Sequence, residues 1–143
     1  MTVARILAEK GRCVVTTRPH RTLHEIAEEL ARHRIGALVV VDANDEILGL
    51  ICERDIVAAI AHNGPNALFD SVAIHMTANP RVAREEDTID ATMETMTMER
   101  RRHLPVLSGG RLCGLVSIGD VVKYRIQAIE FEHKALRDYI ATA

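Results

Sequence analysis

A glycine, a small polar side chain and an aspartate occur at the same spacing in two parts of the chain. The second junction motif is Gly114-Leu-Val-Ser-Ile-Gly-Asp120, and the first junction motif, 65 residues earlier, is Gly49-Leu-Ile-Cys-Glu-Arg-Asp55. A glycine lets a ligand or another backbone approach closely. A hydroxyl beside the first N–H groups of a helix can bind phosphate, and a carboxylate can accept both hydrogen bonds of a ribose diol. The pattern therefore predicts nucleotide binding.

A purely structural role is the alternative for these residues. Ser117 and Asp120 also match a capping box, which would only begin a helix. The return of the glycine and the aspartate in the first motif favours a ligand role, because Cys52 is a poor helix cap. The thiol predicts weaker phosphate binding in the first motif. Arg54 is a candidate to bind the phosphate in place of a hydroxyl. Its alternative role is a surface ion pair with a neighbouring acidic residue.

Basic residues precede one of the predicted strands. Arg100, Arg101, Arg102 and His103 are consecutive. We expect Arg102 and His103 to lie beside the second junction motif and to neutralise a phosphate, and the other two arginines to be surface residues. His20 and His24 are four residues apart without a third ligand nearby, so no metal site is predicted. No arrangement of a nucleophile and a base is evident, so no catalytic residue is predicted.

The junction motifs belong to an internal repeat with the predicted order strand, helix, strand, strand, helix. Thr22 and Glu25 form a capping box at the first helix of the first repeat, and Asp87 or Thr88 begins the corresponding helix of the second. The predicted strands are residues 13–16, 37–41, 47–52, 81–83, 104–107 and 112–117. The predicted organisation is a helical lead-in at 1–11, repeats at 12–63 and 80–125, a linker at 64–79 and a helical extension at 126–143.

Composition restricts the class of protein. The formal net charge is −2 and only four residues are aromatic, which disfavours nucleic-acid or anionic-membrane partners and predicts an aliphatic core. Three cysteines with long spacings indicate reduced thiols, and no secretory signal or membrane span is recognisable. A cytoplasmic protein is therefore expected. Each repeat alone is too small to be stable, so we expect the two to pack by a pseudo-twofold operation that leaves two equivalent clefts.

The C-terminal segment carries a separate pattern. Six residues are spaced alternately four and three apart, as in a heptad seam: Val122, Ile126, Ile129, His133, Leu136 and Ile140. This seam is expected either to pack on an N-terminal helix around Ile6 and Leu7 or to pair with another subunit.

The repeated segments resemble cystathionine β-synthase (CBS) domains, and their tandem arrangement resembles a CBS pair, or Bateman module. The residues that carry the resemblance are Ile35-Gly-Ala-Leu-Val-Val-Val-Asp42 with the first junction motif, and Arg102-His-Leu-Pro-Val106 with the second. The resemblance covers about residues 12–125. It implies an α+β fold of two βαββα repeats packed with pseudo-twofold symmetry. It also implies regulatory binding of an adenine nucleotide such as AMP, ADP, ATP or NAD.

In the family motif the serine approaches phosphate and the aspartate binds ribose, which implies these roles for Ser117 and Asp120, and the ribose role for Asp55. The resemblance further implies a non-catalytic sensor, a homodimer and a regulated protein partner. A structural dimerisation module with vestigial sites is the alternative. The full set of nucleotide-binding candidates is Ser117, Asp120, Gly114, Arg102, His103, Leu104, Pro105, Asp55, Arg54, Cys52, Gly36 and Ala37.

Overall fold

The fold, described for residues 1–142 by a computed structural model, combines two small sheets with helices and confirms the predicted α+β class. The elements in chain order are α1 (Val3–Lys10), β1 (Thr16–Thr17), α2 (Leu23–His33), β2 (Ala37–Val41), β3 (Ile47–Cys52), α3 (Glu53–Asn63), a 3₁₀ helix (Pro65–Phe69), α4 (Val72–His75), β4 (Thr77–Ala78), β5 (Ala83–Arg84), α5 (Ile89–Glu99), β6 (His103–Ser108), β7 (Arg111–Ser117) and α6 (Ile118–Thr142).

The elements form two compact units. One unit consists of residues 13–81 and 109–113, and the other of residues 1–12, 82–108 and 114–142. The first repeat contains the sheet β1-β2-β3-β4, in which β1 runs parallel to β2 and the other pairs are antiparallel. The second repeat contains the sheet β5-β6-β7, in which β5 runs parallel to β6.

The first repeat folds as its sequence pattern predicts. The Thr22 hydroxyl accepts from the N–H of Glu25, whose carboxylate accepts from the N–H of Thr22 at 3.1 Å, so the predicted capping box begins α2. The apolar side of α2 packs with β2, β3 and α3 in one buried aliphatic cluster, whose largest members include Leu23, Ile26 and Ile51. This packing fixes β3, at whose end the first junction motif lies.

The N-terminal helix α1 packs with the second repeat, although the first repeat follows it in the chain. The N–H of Val3 donates to the carbonyl of Asp87 at 2.9 Å, and Arg12 forms an ion pair with Glu85. On the inner side of α1, Val3, Ile6 and Leu7 are buried. The second repeat is therefore completed by a helix from the other end of the chain.

The short helix α4 has the corresponding place in the first repeat. The N–H of Val72 donates to the carbonyl of Arg21 at 2.7 Å, and Val72 is fully buried. The first repeat is thus completed by a helix that follows it directly in the chain.

Short elements differ from the sequence prediction. The first strand was expected at residues 13–16 and lies at Thr16–Thr17, and the strand expected at 81–83 lies at Ala83–Arg84. Their partners β2 and β6 determine where these two-residue strands form. Thr88, one of the two alternatives, is the residue that begins α5, because its hydroxyl accepts from the N–H of Ala91 at 3.0 Å.

Candidate functional site

The second junction motif is held by a capping box at the start of α6. The N–H of Ser117 donates to Oδ2 of Asp120 at 2.9 Å, and the N–H of Asp120 donates to the Ser117 hydroxyl at 3.2 Å. Both side chains are half-buried. The helix-capping role, which the sequence leaves open as an alternative, is therefore present. The capping bond from the Ser117 N–H uses Oδ2 of the Asp120 carboxylate.

A lysine from α1 completes this junction. The Lys10 ammonium lies 2.6 Å from Oδ2 of Asp120 and donates to the carbonyl of Leu115 at 2.8 Å. Burial by itself raises the pKa of Asp120, but the Lys10 hydrogen bond, the Ser117 N–H and the Lys10 charge outweigh it, so the pKa lies below the ordinary value of 3.8. The second junction therefore holds an ionised carboxylate beside a cation. Sequence reasoning missed Lys10, since no local spacing connects two residues 110 positions apart.

Gly114 allows close approach of a side chain of the same chain. A Cβ added at Gly114 would lie 2.6 Å from Cδ2 and 2.8 Å from Cδ1 of Leu7. The sequence predicted an approach by a ligand or a backbone, and the atoms that the structure places there belong to the buried Leu7 of α1. The glycine is required by packing, and the adjacent Asp120 remains the polar group of this junction.

The first junction motif repeats the arrangement with a thiol in place of the hydroxyl. The N–H of Cys52 donates to Oδ2 of Asp55 at 2.9 Å, and the thiol donates to the same oxygen at 3.2 Å. Burial, followed by the bond to the Asp55 carboxylate, raises the pKa of the Cys52 thiol, so it stays protonated. The expectation that capping explains Asp55 poorly was wrong, because Asp55 caps α3 as Asp120 caps α6.

Gly49 has a counterpart to the Leu7 contact within its own unit. A Cβ at Gly49 would meet Sδ of Met76 and would lie 2.9 Å from the carbonyl oxygen of Thr77. The residues that follow α4 therefore cover the first glycine as α1 covers the second. No lysine replaces Lys10 here, and Asp55 forms no ion pair within the described residues.

The start of each capped helix bonds to the residue that precedes the neighbouring strand. The N–H of Glu53 donates to the carbonyl of Gly36 at 3.0 Å, and the N–H of Ile118 donates to the carbonyl of Arg102 at 2.7 Å. The structure thus brings Gly36 and Ala37 to the first junction and Arg102 and His103 to the second. The next strand residues on the candidate list, Leu104 and Pro105, are buried in β6.

The basic candidates differ in their surroundings. Arg54 is exposed and forms no ion pair within the described part of the chain, so the surface pairing with Glu53 or Asp55 is absent there. Arg102 is also exposed, whereas His103 is half-buried. Among residues 1–142 no three His, Cys, Asp or Glu side chains form a group that could hold a metal ion.

An open groove of about 580 Å³ lies between α2 and α3. Gly36 and Glu53, which connect the first junction to its neighbouring strand, line one part of it, and Leu30, Ile56 and Val57 are among the residues that line the remainder. Asp55 does not line this groove. The groove therefore lies on the helical side of the first repeat, and the predicted ribose-binding carboxylate is not part of it.

Both junctions lie in segments that match one known protein family. The sequence profile of the CBS domain matches the chain twice, at residues 5–62 and 71–127. The chain belongs to the CBS domain family. The two matches cover most of the chain and confirm that it is a tandem CBS pair. Each match contains one junction motif.

Solved structures support the same assignment. The chain is 46% identical to the CBS-domain protein ATU1752 of Agrobacterium tumefaciens, with a TM-score of 0.85, over 87% of this chain and 99% of that one. It is 25% identical to the CBS pair of protein MJ0100, with a TM-score of 0.79, over 90% and 98% of the two chains. That structure is a complex with 5′-methylthioadenosine and S-adenosyl-L-methionine.

The curated relatives are longer than the matched region. An uncharacterized 17.7 kDa protein of Acidianus ambivalens is 36% identical over 77% of this chain and 66% of its own length. CBSX3 of Arabidopsis thaliana is 32% identical over 83% of this chain and 60% of its own length. This chain thus spans about two thirds of these relatives. Within residues 1–142, no helix combines the length and the apolar character that crossing a membrane requires.

Proposed function

We propose that this CBS pair is a regulatory module that binds an adenine nucleotide at its junction motifs and performs no catalysis. The observation that carries the proposal is the pair of equivalent carboxylates, Asp55 and Asp120. Each is oriented by an N–H that lies 2.9 Å from its Oδ2. An oriented acceptor of this kind suits the two hydroxyls of a ribose.

A cation beside Asp120 and an exposed arginine in the first turn of α3 support a ligand that carries negative charge. Lys10 contacts Asp120 directly, and the exposed Arg54 follows Glu53 in the first turn of α3. A ribose at the carboxylate places its attached phosphate near such a cation and near the start of a helix, where N–H groups favour anions. We therefore propose AMP, ADP, ATP or NAD as ligands in preference to an uncharged nucleoside. The likeness to MJ0100, which is solved with adenosine derivatives, supports the adenosine part.

The adjacent main chain and strand residues would surround the rest of the ligand. At the second junction these are Arg102, His103, Leu104 and Pro105, and at the first they are Gly36 and Ala37. Ser117 and Cys52 are the polar side chains that directly precede each helix. Because a thiol is a weak hydrogen-bonding group, we propose that the second junction binds phosphate more tightly than the first.

Calorimetric titration with AMP, ATP and NAD tests this function, with 5′-methylthioadenosine as the ligand that lacks phosphate. Asp120→Asn keeps an oxygen that can cap α6 and removes the charge, so it is expected to weaken AMP binding about tenfold or more at this junction. Asp120→Ala is expected to weaken binding more than Asp55→Ala. Asp90→Asn is the matched control, because Asp90 also lies in the first turn of a helix and belongs to neither motif.

A structural module with vestigial sites is the second candidate. The contact between Lys10 and Asp120 favours it, because a ribose would compete with an ammonium that already lies 2.6 Å from the carboxylate. This function predicts no heat and no thermal shift with any of the four ligands. A wild-type chain that binds none of them at millimolar concentration would refute nucleotide sensing and leave the structural function.

A further inference from the structure

The distal part of α6 has no packing partner within the described chain. Val121 and Tyr124 are buried, and they attach the first two turns of α6 to its own unit. From residue 130 to residue 142 every residue is exposed. A helix of about 13 residues without tertiary packing is marginal in water. This segment therefore needs a partner that covers its apolar side.

The apolar side is the heptad seam that the sequence pattern predicts. Ile126, Leu136 and Ile140 are 50%, 58% and 64% exposed, so the alternative in which the seam packs on Ile6 and Leu7 is wrong for these three residues. At about 100° per residue, the six seam positions lie on one side of α6. The exposed Phe131 lies on the opposite side.

Charges beside the seam identify the partner. In a parallel, in-register pair of helices, a flanking residue of one copy lies opposite the residue about five positions later in the other copy. Arg125 then lies opposite Glu130, and Glu132 lies opposite Arg137, so both contacts join opposite charges. An antiparallel pair that overlaps along the whole seam would instead place Glu132 opposite Glu132 and Lys123 opposite Arg137. Only the parallel arrangement is complementary over the full length.

We propose that the seam of α6 is a parallel homotypic interface, at which a second copy of this chain docks its own α6 in register. Leu136 followed by Ile140 is the combination that suits two-stranded packing, and the polar His133 in the seam fixes the register. Neither Glu132 nor Arg137 forms an ion pair within residues 1–142, so both are available to the second copy. Arg125 forms an ion pair with Asp90, in which its Nε lies 3.1 Å from Oδ1 of Asp90, and its terminal amino groups are not part of that contact.

Charge reversal tests the pairing in the full-length chain, with the dimer dissociation constant measured by sedimentation equilibrium. Glu132→Arg and Arg137→Glu each place like charges opposite one another twice per dimer, and each is expected to weaken association about fivefold at low salt. The double variant Glu132→Arg/Arg137→Glu restores two attractive pairs and is expected to recover wild-type affinity. Failure of the double variant to recover would overturn the proposal.

Two further variants distinguish association through the seam from nonspecific hydrophobic association. Leu136→Asp places a carboxylate in the seam and is expected to weaken association about tenfold or more. Phe131→Asp makes the same kind of change on the opposite side of α6 and is expected to leave association within about twofold. Equal effects of the two variants, or a wild-type chain that is monomeric at every concentration, would overturn the proposal.

The orientation is tested with Ile140→Cys. In a parallel, in-register pair the introduced thiol faces the same thiol of the second copy, at a Cα separation that suits a disulfide, whereas in the antiparallel pair it faces Val122. Mild oxidation is expected to link the two introduced thiols in an intermolecular disulfide, which peptide mass mapping distinguishes from bonds to the native cysteines. Absence of that disulfide would overturn the parallel arrangement.

Discussion

Substitution of Gly114 by alanine is expected to destabilise the second repeat by a steric conflict with a single side chain. The new Cβ would lie 2.6 Å and 2.8 Å from the two terminal carbons of Leu7, well inside normal contact distance. Leu7 is only 1% exposed, so it has little room to move. Overpacking of this kind costs about 1–3 kcal/mol, while the loss of glycine entropy in the unfolded chain returns about 0.4–1 kcal/mol. With both effects at the middle of their ranges, the net loss is about 1.3 kcal/mol.

Urea denaturation of Gly114→Ala, Leu7→Ala and the double variant measures this effect. Leu7→Ala alone removes a buried side chain and is expected to cost about 2–5 kcal/mol. In the double variant the new methyl group occupies part of the space that Leu7 leaves, so the combined loss should be smaller than the sum by at least about 1 kcal/mol. Losses that add within about 0.5 kcal/mol would show that the two residues do not interact and would refute the packing explanation.

Gly119→Ala is the matched control for this experiment. Gly119 lies in the first turn of α6, and a Cβ there would meet only the Ser117 hydroxyl oxygen at an ordinary 3.7 Å. Alanine is expected to be neutral or to stabilise the helix by up to about 1 kcal/mol. If Gly114→Ala were as harmless as Gly119→Ala but abolished nucleotide binding, Gly114 would be a ligand contact and our reasoning would be wrong.

Two further predictions concern the junction motifs. Burial raises the pKa of Asp120, but Lys10 and the Ser117 N–H lower this pKa by more, so it lies below its ordinary value of 3.8 in the folded chain. The stability that the carboxylate contributes is therefore present above pH 3.8 and is lost as the pH falls from there toward the folded pKa. Lys10→Met should raise the Asp120 pKa, measured by NMR titration, and its stability deficit against wild type should shrink between about pH 7 and pH 3; an unchanged pKa would contradict the ion pair. Cys52→Ser supplies a better helix cap and should stabilise the first repeat by about 0.5 kcal/mol in urea denaturation, whereas Cys13→Ser, at an exposed cysteine, should change nothing. The same Cys52→Ser variant should strengthen AMP binding at the first junction, and weaker binding would contradict the assignment of Cys52.

The regular elements of this fold could be predicted because their signals are local. The capping box of Thr22 and Glu25 begins α2, and the junction motifs mark the ends of β3 and β7, as the sequence predicts. The two-residue strands β1 and β5 were misplaced because their positions depend on hydrogen bonds to β2 and β6. The sequence of such a short strand carries no periodicity from which its bounds could be determined.

The candidate site could be predicted only in part, for a related reason. The recurring aspartates identify Asp55 and Asp120, and the structure gives both the same capping contact. Lys10 and Leu7 reach the second junction from α1, at the far end of the sequence, and nothing in the spacing of either residue indicates the contact. Cys13, at the start of the strand expected at 13–16, is exposed and lies outside β1, which begins only at Thr16.

The attachment of α1 to the second repeat has a consequence for the order in which a nascent chain can fold. The ribosome releases residues 1–12 first, but their partners, among them Asp87 and Asp120, emerge only after most of the chain has been synthesised. Until then the buried side of α1, with Ile6 and Leu7, stays in water. The closure of so long a loop is entropically costly and slow. The second repeat therefore acquires its complete core only after residues 82–120 have been released.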